Sequence, residues 1–358
     1  MKLQLHSLLS SLLIIALLAV GCGDADDTDA STAATTAAPA EAPSTTTEAD
    51  ADDTNDGTIG EAEDPEAATR TVTDAFGTVE VPAEPQRVVS VSVTVTGALL
   101  ALDAPVVATA VSVGPLSDDL GFWLQWADVA VEAEIDALPG PELSIEAVAA
   151  AEPDLIVGTA FGRDGVDDNL YGLLEEIAPV VVIDQSGLSW QESMQAFAAA
   201  LGRTDEAAAV EADFAAAVDA ASLDTSFPVV AFVPSEDGQL NTFTTVSAHG
   251  RLLADLGLDV VDVEAFAGDA ALDAAGQRAD VVAVSTELVP DAYADATLLG
   301  IFADEERLTT VIGSQPTLGA LSAVAEGRVV PLGVESFRID PFSARLVLDR
   351  LVEAIGAG

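Results

Sequence analysis

Two kinds of hydrophobic spacing alternate along the chain and predict its architecture. Residues 72–82 carry two short alternating runs around Gly77, the pattern of a β-hairpin. Residues 87–93 form a continuous, largely β-branched run, expected of a strand buried on both faces. Strands and helices then take turns: a helix at 97–102, a strand near 106–112, a helix at 144–151, a strand at 154–158, a helix near 169–177 and a strand at 180–184. Such alternation builds a parallel sheet with helices on both faces.

Residues 189–222 interrupt this rhythm. Ser189-Trp190-Gln191-Glu192 reads as a capping box, and Val210, Phe214 and Val218 recur at helical spacing. The spacing predicts one long helix of roughly thirty residues, about 45–50 Å, with a kink at Gly202. The α/β pattern then resumes, with strands at 229–233 and 239–244, a helix at 250–256, a strand at 260–263, a helix near 270–277 and a strand at 280–285. Helices near 294–302 and at 318–325, a strand at 328–331 and a helix at 343–354 complete it. The predicted fold class is α/β: two Rossmann-like lobes, residues 70–188 and 223–358, joined by one long α-helix at 189–222.

The start of the chain does not belong to this pattern. Lys2 precedes an apolar run from Leu8 to Val20, too short to span a bilayer, and residues 1–22 read as an export signal. Cys22 is the only cysteine, which excludes an internal disulfide. Leu18-Ala19-Val20-Gly21-Cys22 resembles a bacterial lipobox, although Ala19 stands where Leu is commonest. That resemblance implies lipid on Cys22 and anchoring to the outer face of the cytoplasmic membrane. Residues 23–69 contain 14 acidic side chains, no base and almost no large apolar residue. Such a stretch cannot bury a core and is expected to be a disordered acidic tether.

Charge then narrows the partners. Residues 70–358 hold 47 acidic side chains against 11 Arg, a net charge of −36. A surface this acidic repels phosphate backbones, so no nucleic acid partner is expected. Adaptation to salt and a cationic partner both remain open readings of the acidity. Lys2 is the only lysine, which excludes a Walker-type phosphate loop around Gly158, Gly162 and Gly165. No Gly-x-Ser-x-Gly elbow occurs, and His249 is the only histidine beyond residue 6. No catalytic site and no directly bound metal are therefore expected.

Several stretches, in order, carry a family likeness: residues 141–157 (PELSIEAVAAAEPDLIV), 177–181 (IAPVV), 200–203 (ALGR), 252–258 (LLADLGL) and 325–331 (AEGRVVP). Across residues 70–355 the chain resembles the substrate-binding proteins of ATP-driven (ABC) importers for iron-siderophores, haem and cobalamin. The resemblance implies a rigid interlobe helix, a ligand cleft between the lobes, small closure movements, and delivery of the ligand to a permease with ATPase subunits. It also implies an acidic residue on each lobe that meets permease arginines. Glu146 matches that position in the first lobe. In the second lobe Leu272 stands there, with Asp273 beside it as a substitute.

Ligands on such a scaffold sit at the carboxyl ends of the strands. Those ends carry Arg163 in a glycine-rich loop, with Trp123, Trp126 and Trp190, in the first lobe and at the link. In the second lobe they carry Phe243, Arg251 and Arg338, with His249 and Phe337 beside them. Arg offers forked donors to the oxygens of a ferric chelate, and aromatic rings offer faces to its arms. The expectation is a monomeric, exported lipoprotein, not an enzyme, that captures an Fe(III)-siderophore. The acidity favours a hydroxamate over a tris-catecholate. Cobalamin or haem as ligand, or a lipid-anchored enzyme or adhesion module, remain alternatives.

Overall fold

The computed structural model describes residues 68–140, 142–235, 239–266 and 279–356. Cys22, the acidic stretch that follows it, and the helix expected near 270–277 with Asp273 lie outside the described residues. The hairpin forms as β1 (Thr69–Thr73) and β2 (Thr78–Pro82). Its turn is closed by Asp74, whose Oδ1 accepts the N–H groups of Phe76 and Gly77, with Gly77 at a φ of 141° that suits glycine.

The first lobe is built on β3 (Val88–Ser90), β4 (Val106–Thr109), β5 (Asp136–Ala137), β6 (Leu155–Thr159) and β7 (Val180–Ile183). They lie in the order β5-β4-β3-β6-β7, all parallel. The β-branched runs of β3 and β7 are wholly buried. Each such Val or Ile removes apolar area from water and contributes about 1.5–3 kcal/mol. The run expected as one strand over 87–93 stops at Ser90, because Val93 opens the helix Val93–Ala101. Packing overrides β-propensity there: Val93 and Val95 are buried, and the Thr96 hydroxyl bonds those of Ser90 and Thr109.

The second lobe holds β8 (Val229–Val233), β9 (Gln239–Phe243), β10 (Val281–Ser285), β11 (Thr297–Gly300) and β12 (Val329–Pro331), in the order β10-β9-β8-β11-β12. β8, β11 and β12 are parallel, and β9 runs antiparallel to both its neighbours. Two expectations fail here. Residues 294–302 supply the buried central strand β11 instead of a helix, since Thr297 to Gly300 are enclosed between β8 and β12. Residues 260–263 make a bridge from Val260 to Val229 instead of a strand.

The single long interlobe helix is also corrected. Gly202, at a left-handed φ of 71°, ends the helix Trp190–Leu201, and a second helix, Thr204–Ala220, starts at once. Trp190 meets Phe214 edge-on, with ring centroids 5.1 Å apart, and Gln195 Nε2 donates to Glu211 Oε1 at 2.7 Å, 16 residues away. Along one straight helix 16 residues would span about 24 Å. The two helices therefore fold back antiparallel, and only Thr204–Ala220 leads into the second lobe. The glycine turns the chain where a kink was expected.

The last helix, Pro341–Ile355, returns to the first lobe. It packs on the helix Val93–Ala101, and its cap Asp340 is buried there. Gln125 Nε2 of the first lobe donates to Asp340 Oδ2 at 3.3 Å. Its far end is tied by a bridge between Leu223 and Gly356.

Candidate functional site

The loop after β6 is fixed before it presents anything. Thr94 donates to Asp164 through both its backbone N–H and its hydroxyl, each at 2.9 Å, and Ser92 Oγ donates to the Asp164 carbonyl at 2.7 Å. Asp164 thus caps the helix Val93–Ala101 from a loop 70 residues away, a role no local pattern announced. With Asp164 turned inward, its neighbour Arg163 is exposed and makes no hydrogen bond or ion pair among the described residues. Phe161, two residues earlier, is half-buried and held by its N–H on Thr159 Oγ1.

Across the seam stands Arg338, at the end of the short 3-10 turn Val334–Phe337 that follows β12. Its guanidinium carbon lies 5.7 Å from the ring centre of Phe161 in the first lobe and 5.4 Å from that of Phe337 in the second. Phe337 packs on Phe302 at 5.3 Å, and Arg307 covers Phe302 at 5.2 Å. The result is a ladder of rings and guanidinium groups, Phe161, Arg338, Phe337, Phe302 and Arg307, running from one lobe to the other. A guanidinium beside rings sets a planar cation with forked N–H groups next to flat faces.

Beneath the ladder the Phe243 ring lies 3.8 Å from that of His249, and His249 Nε2 bonds the Ser336 carbonyl at 2.8 Å. Burial pushes the His249 pKa down to about 4, with the Arg338 charge acting in the same direction against the Ser336 bond and Asp280. His249 is therefore neutral at ordinary pH and supports the turn that carries Arg338. Phe243 is buried as its partner.

The remaining expected residues fall elsewhere. Trp126 is wholly buried against Phe122, and Trp123 is buried with Nε1 donating to Ser112 Oγ at 2.8 Å. Trp190 is buried at the start of the helix Trp190–Leu201, against Phe214. All three belong to the core that shapes the first lobe and its link. Arg251 pairs with Glu192 at 2.9 Å, joining the second lobe to the capping box of helix Trp190–Leu201. Glu146 is exposed in the first turn of the helix Ile145–Ala150 and accepts from Ser144 Oγ at 3.2 Å. Phe302 and Arg307 were not singled out, because the run before them reads as helix and hides the strand end on which Phe302 sits.

The profile of the periplasmic binding proteins matches residues 88–334. The chain belongs to that family. It is 37% identical over 288 residues to the ferric enterobactin-binding periplasmic protein FepB of Escherichia coli O6:H1, covering 79% of this chain and 89% of that protein. It is 29% identical over 202 residues to the Fe(3+) dicitrate-binding periplasmic protein FecB of Escherichia coli K12, covering 54% of this chain and 63% of that one. Among solved structures, holo-ViuP superimposes with a TM-score of 0.70 at 27% identity, covering 80% of this chain and 95% of its own. The family and these relatives are extracytoplasmic binding proteins. No helix among the described residues is long and apolar enough to cross a membrane.

Proposed function

We propose that this chain is the solute-binding lipoprotein of an ABC importer, anchored through lipid on Cys22, that captures a ferric siderophore between its lobes for iron uptake. The observation that carries the reading is Arg338, set between Phe161 of one lobe and Phe337 of the other. A chelate with oxygen anions around its metal and flat arms outside it matches that pairing of donors and faces. Exposed Arg163, two residues from Phe161, supplies a second guanidinium from the first lobe. Homology to proteins named for ferric enterobactin and Fe(3+) dicitrate supports a ferric chelate over the cobalamin or haem alternative. A titration of the purified protein with ferric enterobactin, a ferric hydroxamate, haem and cobalamin, followed by Trp fluorescence, tests it. Saturable quenching by a ferric siderophore is expected, and response to haem or cobalamin alone would overturn it.

Delivery requires a docking surface. Glu146 stands exposed at a helix amino terminus of the first lobe, a rim position where charge sets encounter and orientation with a permease. Asp273 is its proposed counterpart in the second lobe. The protein acts as a monomer in this reading, with the permease and its ATPase subunits as partners. Glu146→Arg is expected to abolish uptake in cells while leaving chelate affinity unchanged, and wild-type uptake would remove Glu146 from the interface.

A further inference from the structure

A second hollow, of about 250 Å³, opens where the antiparallel link helices meet the second-lobe helix Ala248–Asp255. It shares no residue with the ladder from Phe161 to Arg307. Its apolar wall is made by Trp190 and Phe214, both at least nine-tenths buried and packed edge to face, with half-buried Val218 beside them. Glu211, Asp219 and Asp255 line the same hollow from three separate turns of helix, and no Arg or Lys does.

We propose that this hollow binds a small organic ammonium ion, an apolar body carrying one cationic head, at a site separate from the chelate. Glu211 and Asp255 have neutral amide partners, so no cationic side chain competes with such a guest for them. Glu211 accepts from the neutral amide of Gln195 at 2.7 Å and Asp255 from that of Gln191 at 3.0 Å, while Arg251, one turn from Asp255, is paired with Glu192. Of side-chain donors the lining has only the Gln191 amide and the Trp190 Nε1–H, which is buried with no partner. Gln191 gives its amide N–H to Asp255, and its Oε1 is buried with no partner. An ammonium group brings several N–H donors to this acceptor-rich rim, and aromatic walls attract a cation's apolar flanks.

Other guests fit less well. A neutral apolar molecule would desolvate three carboxylates without replacing their hydration. A bare metal ion gains nothing from Trp190 and Phe214, and among the described residues no three His, Cys, Asp or Glu side chains are grouped to hold one. An anion would be repelled. The lining joins the link helix that bears Glu211 to the second-lobe helix that bears Asp255, so an occupant contacts both sides of the junction.

The test is calorimetric titration of the purified full chain at physiological salt, without any ferric chelate, using phenethylammonium, its neutral isostere 2-phenylethanol, and methylammonium. Saturable one-to-one binding of phenethylammonium is expected, with each single-feature analogue weaker by ~10-fold or more. Glu211→Gln combined with Asp255→Asn is expected to weaken phenethylammonium by ~10-fold while leaving the thermal transition in place. Equal binding of methylammonium would mean general attraction to an acidic surface, and equal binding of 2-phenylethanol a merely apolar crevice. Either result, an absence of saturation in the millimolar range, or insensitivity to the double substitution would overturn the proposal. Because no siderophore enters the assay, its outcome is independent of the chelate reading.

Discussion

The buried carboxylate of Asp340, at the cap of the last helix, rests on the backbone of Gly97 in the first helix of the opposite lobe. A Cβ at that glycine would collide with Asp340 Oδ2 and stand 3.0 Å from Trp126 Cδ1. Gly97→Ala is expected to destabilise the protein by about 2 kcal/mol in denaturant unfolding, since neither neighbour can retreat from a packed seam. Gly313→Ala is the matched control: it too lies in a helix, with nothing within 4 Å of its added Cβ, and should gain up to about 1 kcal/mol. Equal effects at the two sites would refute the close contact.

Burial raises the Asp340 carboxyl above its ordinary value, against hydrogen bonds from Ser343 and Gln125. The folded protein then holds this proton more tightly than the unfolded chain. The contribution is favourable at low pH and is lost as pH rises from the ordinary 3.8 through the raised folded value. Asp340→Asn preserves the cap and offers an N–H to Gln125 Oε1, which is buried without a partner. It is expected to flatten that decline and raise stability at neutral pH, read from unfolding curves across pH. Asp340→Ala, which deprives the Ser343 N–H of its acceptor, should instead cost about 1 kcal/mol.

His249 works in the opposite sense. Its folded pKa of about 4 lies below the ordinary 6.5, so the unfolded chain takes up the proton first. Its contribution is complete above pH 6.5 and is lost as pH falls toward 4, a loss of about 3 kcal/mol. With no other histidine beyond residue 6, the imidazole resonance in a proton NMR titration is simple to assign. A midpoint near 4 is expected, and one near 6.5 would mean that the ring is not enclosed between Phe243 and Ser336.

Arg338 and Arg251 separate cleanly by substitution. Arg338→Lys keeps the charge but loses the planar fork stacked between Phe161 and Phe337, and chelate affinity should fall by ~10-fold or more. Arg251→Lys touches only the half-exposed pair with Glu192 and should leave affinity within about twofold. Parallel titrations of the two variants check this.

Much of the scaffold was legible because its signals are local. The buried run in β7 is β-branched throughout and that in β8 is apolar throughout, and the capping box of Ser189 and Glu192 forms as its spacing predicts. What failed depends on distant contacts. Gly202 fits a kink or a turn equally well until Trp190 meets Phe214. Thr297 to Gly300 become a strand only because β8 and β12 enclose them. The site follows the same rule. Arg338 and Arg251 were both candidates from their places after strands, and only the structure shows that Arg251 is held by Glu192, 59 residues away. The three Trp were candidates by type and by their places after strands, and all three are buried.

The return of the last helix to the first lobe has a consequence for how the chain is made. Residues emerge from the ribosome in order, and a domain ordinarily folds as its own residues become available. Here the helix Val93–Ala101 must wait for its cover until Asp340 and the helix Pro341–Ile355, about 240 residues further along the chain, become available. The first lobe is thus completed only after every strand of the second has been made.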